Sequence, residues 1–85
     1  MDEINEIIDV VSYSVKDRGI VVPLLFRWRG KKWKMKEIGL RHQVKEGEVL
    51  HHIFEGSNGN LNFRLDLNTR SLQWTLVATS DGLPH

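Results

Sequence analysis

The chain has 85 residues, so we expect a single domain with a thin hydrophobic core. The absence of cysteine excludes disulfides and thiolate metal sites and suits a reducing cytoplasm. The formal net charge is +1, no apolar run approaches the roughly 18 residues of a membrane span, and the acidic start is unlike a signal peptide. We therefore expect a cytoplasmic protein that does not enter a membrane, with loose ends at residues 1–6 and 80–85.

The first segment of the chain carries two competing patterns. The isoleucines and Val11 fall at helical spacing, whereas Val11, Tyr13 and Val15 alternate with serines, as in a strand. Acidic residues in a first turn would also suit a helix dipole. We expect a short helical turn or a loose lead over residues 2–6, followed by a strand from about residue 8 to residue 16.

The next strand, residues 20–28, leads into a predicted β-hairpin at Leu24–Met35. Pro23 cannot donate a backbone hydrogen bond, so it marks a sheet edge, a strand start or a bulge. Arg29–Gly30 is the predicted turn, because Gly30 can adopt the positive φ that a two-residue turn needs. This turn pairs side chains across the two strands and sorts them by face. The predicted apolar face consists of Leu24, Phe26, Trp33 and Met35.

The third strand is predicted to run from Lys32 to about Ile38. Strict alternation would point Ile38 away from the core, so we expect a bulge or a bend within residues 36–39 that returns it. Residues 40–44 are a candidate continuation of the same strand beyond the bend. A turn at residues 45–48 would end it.

Two hairpins complete the predicted sheet. A turn at residues 56–59 would pair Phe54 with Leu61, and a turn near residues 68–70 would pair Phe63 with Trp74. The intervening strand alternates apolar and polar residues, which places Leu61, Phe63, Leu65 and Leu67 inside. We predict an all-β domain of about six antiparallel strands, arranged as a meander that forms a small barrel or a strongly bent sheet.

Part of this pattern resembles a known family. The similar segments are Phe26-x-Trp28-x-Gly30-x-x-Trp33-x-Met35, His52-x-Phe54, Phe63-Arg64-Leu65 and Leu72-x-Trp74-x-Leu76. The family is one of short bacterial β-domain proteins of unknown function. The resemblance covers residues 23–79. It implies a β-rich domain and no catalytic residues.

The polar residues do not form a pattern typical of a metal site or an enzyme. His51 and His52 are adjacent and face opposite sides of a strand, so they cannot readily bind one ion, and we expect His52 at the core edge against Phe63 and His51 exposed. Glu55 and Asp66 are predicted to form surface ion pairs near Arg64. No nucleophile motif or phosphate loop is present, so we expect a protein that is not an enzyme and needs no cofactor or metal.

The candidate binding site is the basic side of the hairpin. Nucleic-acid binders combine cationic side chains with exposed aromatic rings that stack on bases, and Trp28 is the candidate stacking residue. The same charges are also typical of a solvated face that prevents edge-to-edge aggregation. We expect non-catalytic binding of nucleic acid or an acidic protein. The cationic residues of this basic face are Arg27, Arg29, Lys31, Lys32, Lys34 and Lys36.

The alternative function is a structural or protein-interaction module. Leu25, Ile53 and Val77 are predicted on the outer face of the sheet, where an apolar patch would need cover. The N-terminal isoleucines could supply that cover within one chain. Without it, the patch would favour a weak homodimer over a monomer.

Overall fold

The computed structural model describes residues 2–17 and 19–81, and all of the regular elements in them are β-strands. The all-β prediction is confirmed, although the predicted third strand divides at residues 35–36, giving seven strands. The strands are β1 (Asp2–Val15), β2 (Ile20–Trp28), β3 (Lys31–Lys34), β4 (Glu37–Glu46), β5 (Val49–Ser57), β6 (Leu61–Asn68) and β7 (Trp74–Asp81).

The strands form one antiparallel sheet in the order β3-β2-β1-β7-β6-β5-β4. Sequential hairpins build its two halves, and β1 joins them because its first part pairs with β7 and its second part with β2. The sheet bends, so that the inner side of β2 meets the inner side of β6. It is not closed into a barrel: among the described strands, β3 approaches only β2, and β4 approaches only β5.

Aromatic rings from both halves of the sheet share the interior. Phe26 and Phe63 are fully buried, Trp74 is 8% exposed, and Trp33 packs against them from the rim. Burying rings of this size removes about 150–250 Å² each from water, which is a large share of the core of a small domain. The predicted alternation of β6 is confirmed, since Leu65 and its neighbours on the same face are buried or half-buried.

The N-terminal segment is the first point where the structure departs from the prediction. Residues 2–6 belong to β1 and pair with β7, so the predicted helical turn is wrong. The register shifts between Glu3 and Glu6, where Asn5 has φ 54°. Asparagine tolerates this left-handed conformation better than most residues. Ile8 is buried while Ile7 is 67% exposed, so the isoleucines with helical spacing lie on opposite faces of a strand.

A bulge in β2 corrects the predicted apolar face of the hairpin. Ser12 pairs with Pro23 and Val11 pairs with Leu25, so Leu24 is the extra residue between them. Pro23 is buried, whereas Leu24 is 42% exposed and does not join Phe26 in the core. A bulge was one of the three positions predicted for Pro23. As the extra residue of the bulge, Leu24 does not lie on the face of the sheet that Phe26 occupies.

The chain crosses from one half of the sheet to the other at residues 35–36. The Met35 N–H still donates to Leu24 O on β2 (2.8 Å), and the Lys36 N–H already donates to Ser57 O on β5 (2.9 Å). The predicted bulge follows, between Ile38 and Leu40. Ile38 nevertheless stays 36% exposed, so the prediction that it returns to the core is wrong. The reason is that β4 is an edge strand over which little else packs.

The last two hairpins have the predicted faces but different registers. Phe54 pairs with Leu65 rather than Leu61, because β5 continues to Ser57 before the chain turns. Trp74 pairs with Leu67 rather than Phe63. Both shifts are an even number of residues, which preserves the side on which each side chain lies.

The second of these shifts has a local cause. Leu72, predicted as a strand residue, is 70% exposed and has φ 63°, so β7 begins only at Trp74. The turn before it is held by Asn68, whose Oδ1 accepts the N–H groups of Arg70 (2.9 Å) and Ser71 (3.1 Å).

Candidate binding face on the basic hairpin

The turn of the basic hairpin has the predicted residues and register. Phe26 pairs with Trp33 and Arg27 pairs with Lys32, leaving Arg29 and Gly30 as the two turn residues. Their φ angles are 51° and 75°, and positive φ at both central positions is the geometry of a type I′ hairpin turn. Such a turn matches the twist of the strands and therefore fixes which side chains face outward.

The basic face is exposed and largely free of carboxylate partners. All six of its cationic residues are exposed. Among the ion pairs formed within residues 2–17 and 19–81, only one includes a residue of this face, Arg29. Arg27, Lys32 and Lys34 share the outer side of the hairpin by strand alternation, together with the half-buried Leu25. This arrangement concentrates positive charge on one side of two neighbouring strands.

Trp28 does not lie free on that surface. Its ring is half-buried against the core, and its centroid is 5.8 Å from that of Trp33. The Nε1–H of Trp28 donates to Glu6 Oε1 (3.3 Å), while the Arg29 guanidinium lies 4.7 Å from the ring centroid. One side of the indole is therefore covered by a cation, and the ring is not an open platform for base stacking.

Glu6 is the residue of this site that the sequence did not reveal. Its Oε2 accepts from Arg29 Nη2 (3.1 Å), in addition to the contact of its Oε1 with Trp28. Glu6 lies in a segment predicted as a helical turn or loose lead, and no local pattern connects it with a turn more than twenty residues later. Only the β1–β2 pairing brings the two together. The carboxylate neutralises the charge of Arg29, whereas the other cations of the basic face have no ion-pair partner within the described residues.

A shallow groove lies beside the outer cations. Its volume is about 290 Å³, and Val11 and Leu25 give it an apolar lining. Arg27 and Lys32 also line it, with Asp9 opposite Arg27 on β1. An anion that carries an apolar group could contact both kinds of surface here.

The histidines lie differently from the prediction. His51, expected to be exposed, has a side chain only 14% exposed, and its Nδ1 is 2.7 Å from Asp66 Oδ1. His52 is half-buried as predicted but pairs with Leu67 instead of Phe63. The part of the chain that the structure describes contains no group of three or more metal-ligating side chains placed to hold an ion.

The predicted ion pairs on the outer face are partly present. Arg64 Nε donates to Glu55 Oε1 (2.6 Å), as expected. Asp66 was also expected near Arg64, but it contacts His51 instead. The difference follows from the register of β5 and β6, which places Glu55 directly opposite Arg64.

The predicted outer apolar patch is not a free surface. Leu25, Ile53 and Val77 are each half-buried. The large apolar side chains that are exposed lie elsewhere, mainly on β1 and β4: Ile7, Val11, Tyr13, Leu24, Ile38, Leu40, Val44 and Leu72. The N-terminal isoleucines, which were expected to cover this patch, do not share one side of the sheet, because Ile4 packs against the core while Ile7 is exposed.

Comparisons with known proteins give no relative from which a role could be transferred. No protein-family model matches the chain, and neither a curated protein nor a solved structure is significantly similar to it. The resemblance to a bacterial β-domain family therefore stays a prediction. Within the described residues, no helix is long and apolar enough to cross a membrane.

Proposed function

We propose that this protein is a non-catalytic binding module that takes an anionic partner, a nucleic acid or an acidic protein segment, on the basic face. The observation that carries the proposal is the exposure of five cations, Arg27, Lys31, Lys32, Lys34 and Lys36, none of which forms an ion pair within residues 2–17 and 19–81. Unpaired cations on neighbouring strands attract polyanions and displace their counterions.

Strand geometry sets the spacing of the outer cations. Lys32 and Lys34 are two residues apart on β3, which corresponds to about 6.6 Å along a strand. Alternate carboxylates of an extended acidic segment have the same spacing, and a flexible nucleic-acid strand can adapt to it. Arg27 lies opposite Lys32, so three cations can contact one partner without rearrangement of the backbone.

The placement of Trp28 disfavours base stacking as a part of binding. Its indole is half-buried against the core and one face is covered by Arg29, so base stacking on that face would require Arg29 to move. Binding should therefore depend on charge and show little sequence preference. A salt titration is the direct test of this property.

The experiment uses two fluorescein-labelled probes, an oligothymidylate and a polyglutamate, measured by fluorescence anisotropy against salt concentration. Three phosphate contacts to a single strand predict a slope of log K against log salt of about −2. The double variant Lys32→Glu with Lys34→Glu should lose binding. Lys16→Glu with Lys45→Glu changes the net charge by the same amount outside the hairpin and should retain most of it.

The two probes separate the two kinds of partner. Retention of oligothymidylate alone would identify nucleic acid, and retention of polyglutamate alone would identify an acidic protein segment. The proposal fails if neither probe binds at low salt, if binding does not change with salt, or if both double variants lose binding equally.

A further inference from the structure

A notch separates β2 from β4. It begins where the chain leaves β2 after the Met35–Leu24 hydrogen bond and joins β5 through Lys36. Beyond this point no α-carbon of β4 lies within 8 Å of an α-carbon of β2. Neighbouring strands of a sheet are about 4.8 Å apart, so the gap exceeds one strand spacing.

Both sides of the notch are free strand edges. β4 is ten residues long, pairs only with β5, and is exposed throughout. The β2–β3 pairing begins at Leu25, so residues 20–23 of β2 have β1 on one side and no described strand on the other. Long uncovered edges present unpaired N–H and C=O groups and readily accept a further strand.

Two neighbouring cavities fill the notch. One, of about 450 Å³, is lined by Val22 on one side and by residues 38–41 of β4 on the other. The second, of about 220 Å³, lies between residues 19–21 and residues 41–43. Phe54 and Arg41 line both of them, so the two cavities adjoin in one cleft.

The lining of the cleft indicates the chemistry of its occupant. Val22, Ile38 and Leu40 provide apolar surface, of which Ile38 and Leu40 are respectively 36% and 50% exposed, while Phe54 is buried beneath them. The charged or titratable groups that line the two cavities are Arg41, His42 and His52. None of the described side chains that line the two cavities is acidic, and the carboxylates nearby, Glu37 and Glu55, line an adjoining cavity beside Gly39 and Leu40. A carboxylate of the occupant is therefore expected beside Arg41.

We propose that the notch binds an extended peptide segment of another protein, with alternating apolar side chains and at least one carboxylate, as an added strand beside β4. Backbone hydrogen bonds to the free edge would supply affinity, and the apolar floor with Arg41 would supply selectivity. None of the described residues that line the two cavities belongs to the basic face, and the proposal does not depend on the function proposed for that face.

The test uses a fluorescein-labelled nine-residue peptide of alternating valine and glutamate. Because its carboxylates would also suit the basic face, every protein in this test carries Lys32→Gln and Lys34→Gln. We expect the peptide to bind this background protein, and we expect the addition of Arg41→Glu to weaken binding at least tenfold. The matched control is Arg70→Glu, which makes the same charge change at an exposed position in the turn between β6 and β7, away from the edge of β4 and outside both cavities. It should change binding less than twofold. Equal urea midpoints for the two variants would exclude loss of folding as the cause.

Two modified peptides distinguish strand addition from simple attraction between charges. A peptide with N-methylated central amides cannot pair with a strand edge and should not bind, and one with lysine in place of glutamate should bind only to Arg41→Glu. Amide hydrogen exchange of β4 should slow when the unmodified peptide is bound.

Three results of the peptide measurements would overturn the proposal. They are equal binding of the N-methylated peptide, equal losses in Arg41→Glu and Arg70→Glu, and no binding of the unmodified peptide at about 1 mM, the weak end of specific affinities. Sedimentation showing that Arg41→Glu dissociates a dimer of the free chain would assign the notch to a second copy and would also overturn it.

Discussion

Phe26 on β2 and Phe63 on β6 meet edge to face, with ring centroids 4.9 Å apart and an interplanar angle of 85°. Strands β1 and β7 lie between them in the sheet, so the rings can touch only because the sheet bends over itself. Trp33 adds a second edge contact to Phe63, with centroids 5.9 Å apart. The contacts between these rings therefore join the two halves of the sheet across the interior.

Truncating Phe63 should therefore destabilise the whole domain. Phe63→Ala removes a fully buried ring and should lower the free energy of unfolding by about 3–5 kcal/mol. Urea denaturation followed by tryptophan fluorescence measures this change, and Phe63→Leu provides a milder variant if the alanine protein is unfolded. Leu72→Ala, at a side chain that is 70% exposed, is the control and should change stability by less than about 0.5 kcal/mol.

Gly56 is expected to be intolerant of any side chain. A Cβ at this position would clash with Glu37 O and lie 2.9 Å from Met35 Cε, near the point where the chain passes from β3 to β4. Gly56→Ala should cost about 1–3 kcal/mol, because the backbone of residue 37 must move. Gly39→Ala is the matched control, since its Cβ would meet only Glu55 O, at 3.9 Å. Similar melting temperatures for the two variants would contradict the close packing.

Glu6 should restrain the tip of the basic hairpin and reduce its attraction for anions. Glu6→Gln keeps an acceptor for Trp28 but removes the charge beside Arg29. Because both partners of the ion pair are substantially exposed, stability should fall by less than about 1 kcal/mol. Oligothymidylate should bind this variant more tightly than wild type in the anisotropy assay. Weaker binding would show that Glu6 orients Arg29 for the ligand rather than neutralising it.

Asp66 should stabilise the junction of β5 and β6 through His51. Asp66→Ala leaves the largely buried imidazole without its 2.7 Å partner, and we expect a loss of about 1–2 kcal/mol in the free energy of unfolding. Asp66→Asn retains a hydrogen-bonding group and should recover most of this loss. Thermal unfolding monitored by circular dichroism compares the three proteins. Equal destabilisation by alanine and asparagine would assign the effect to packing or to charge instead.

Features that depend on residues close together in the sequence were predicted more accurately than features that depend on distant residues. The hairpin at Arg29–Gly30 was predicted to the correct register, because a two-residue turn and the alternation of its strands leave one solution. Around Phe54 and Trp74 the turn residues were recognised but their exact extent was not, so the pairing was shifted while the faces were right. Alternation determines a face from a few residues, whereas register requires the length of the turn.

The other differences between the prediction and the structure come from features that leave no pattern in the nearby sequence. The bulge at Leu24 and the left-handed Asn5 each change what alternation or helical spacing would predict, and neither residue type requires such a conformation. The role of Glu6 depends on pairing between β1 and β2, and the notch beside Arg41 depends on how far the sheet bends. The cations of the basic face could be identified from the sequence, but their freedom from ion pairs could not.

The pairing of β1 with β7 has a consequence for how the chain reaches this structure. It places Asp2 opposite Thr79, so the central strands of the sheet come from opposite ends of the described chain. Contacts between distant residues slow folding, since a long loop must be closed before they form. We therefore expect folding in milliseconds to seconds, with the pairing of β1 onto β7 formed later than the local hairpins.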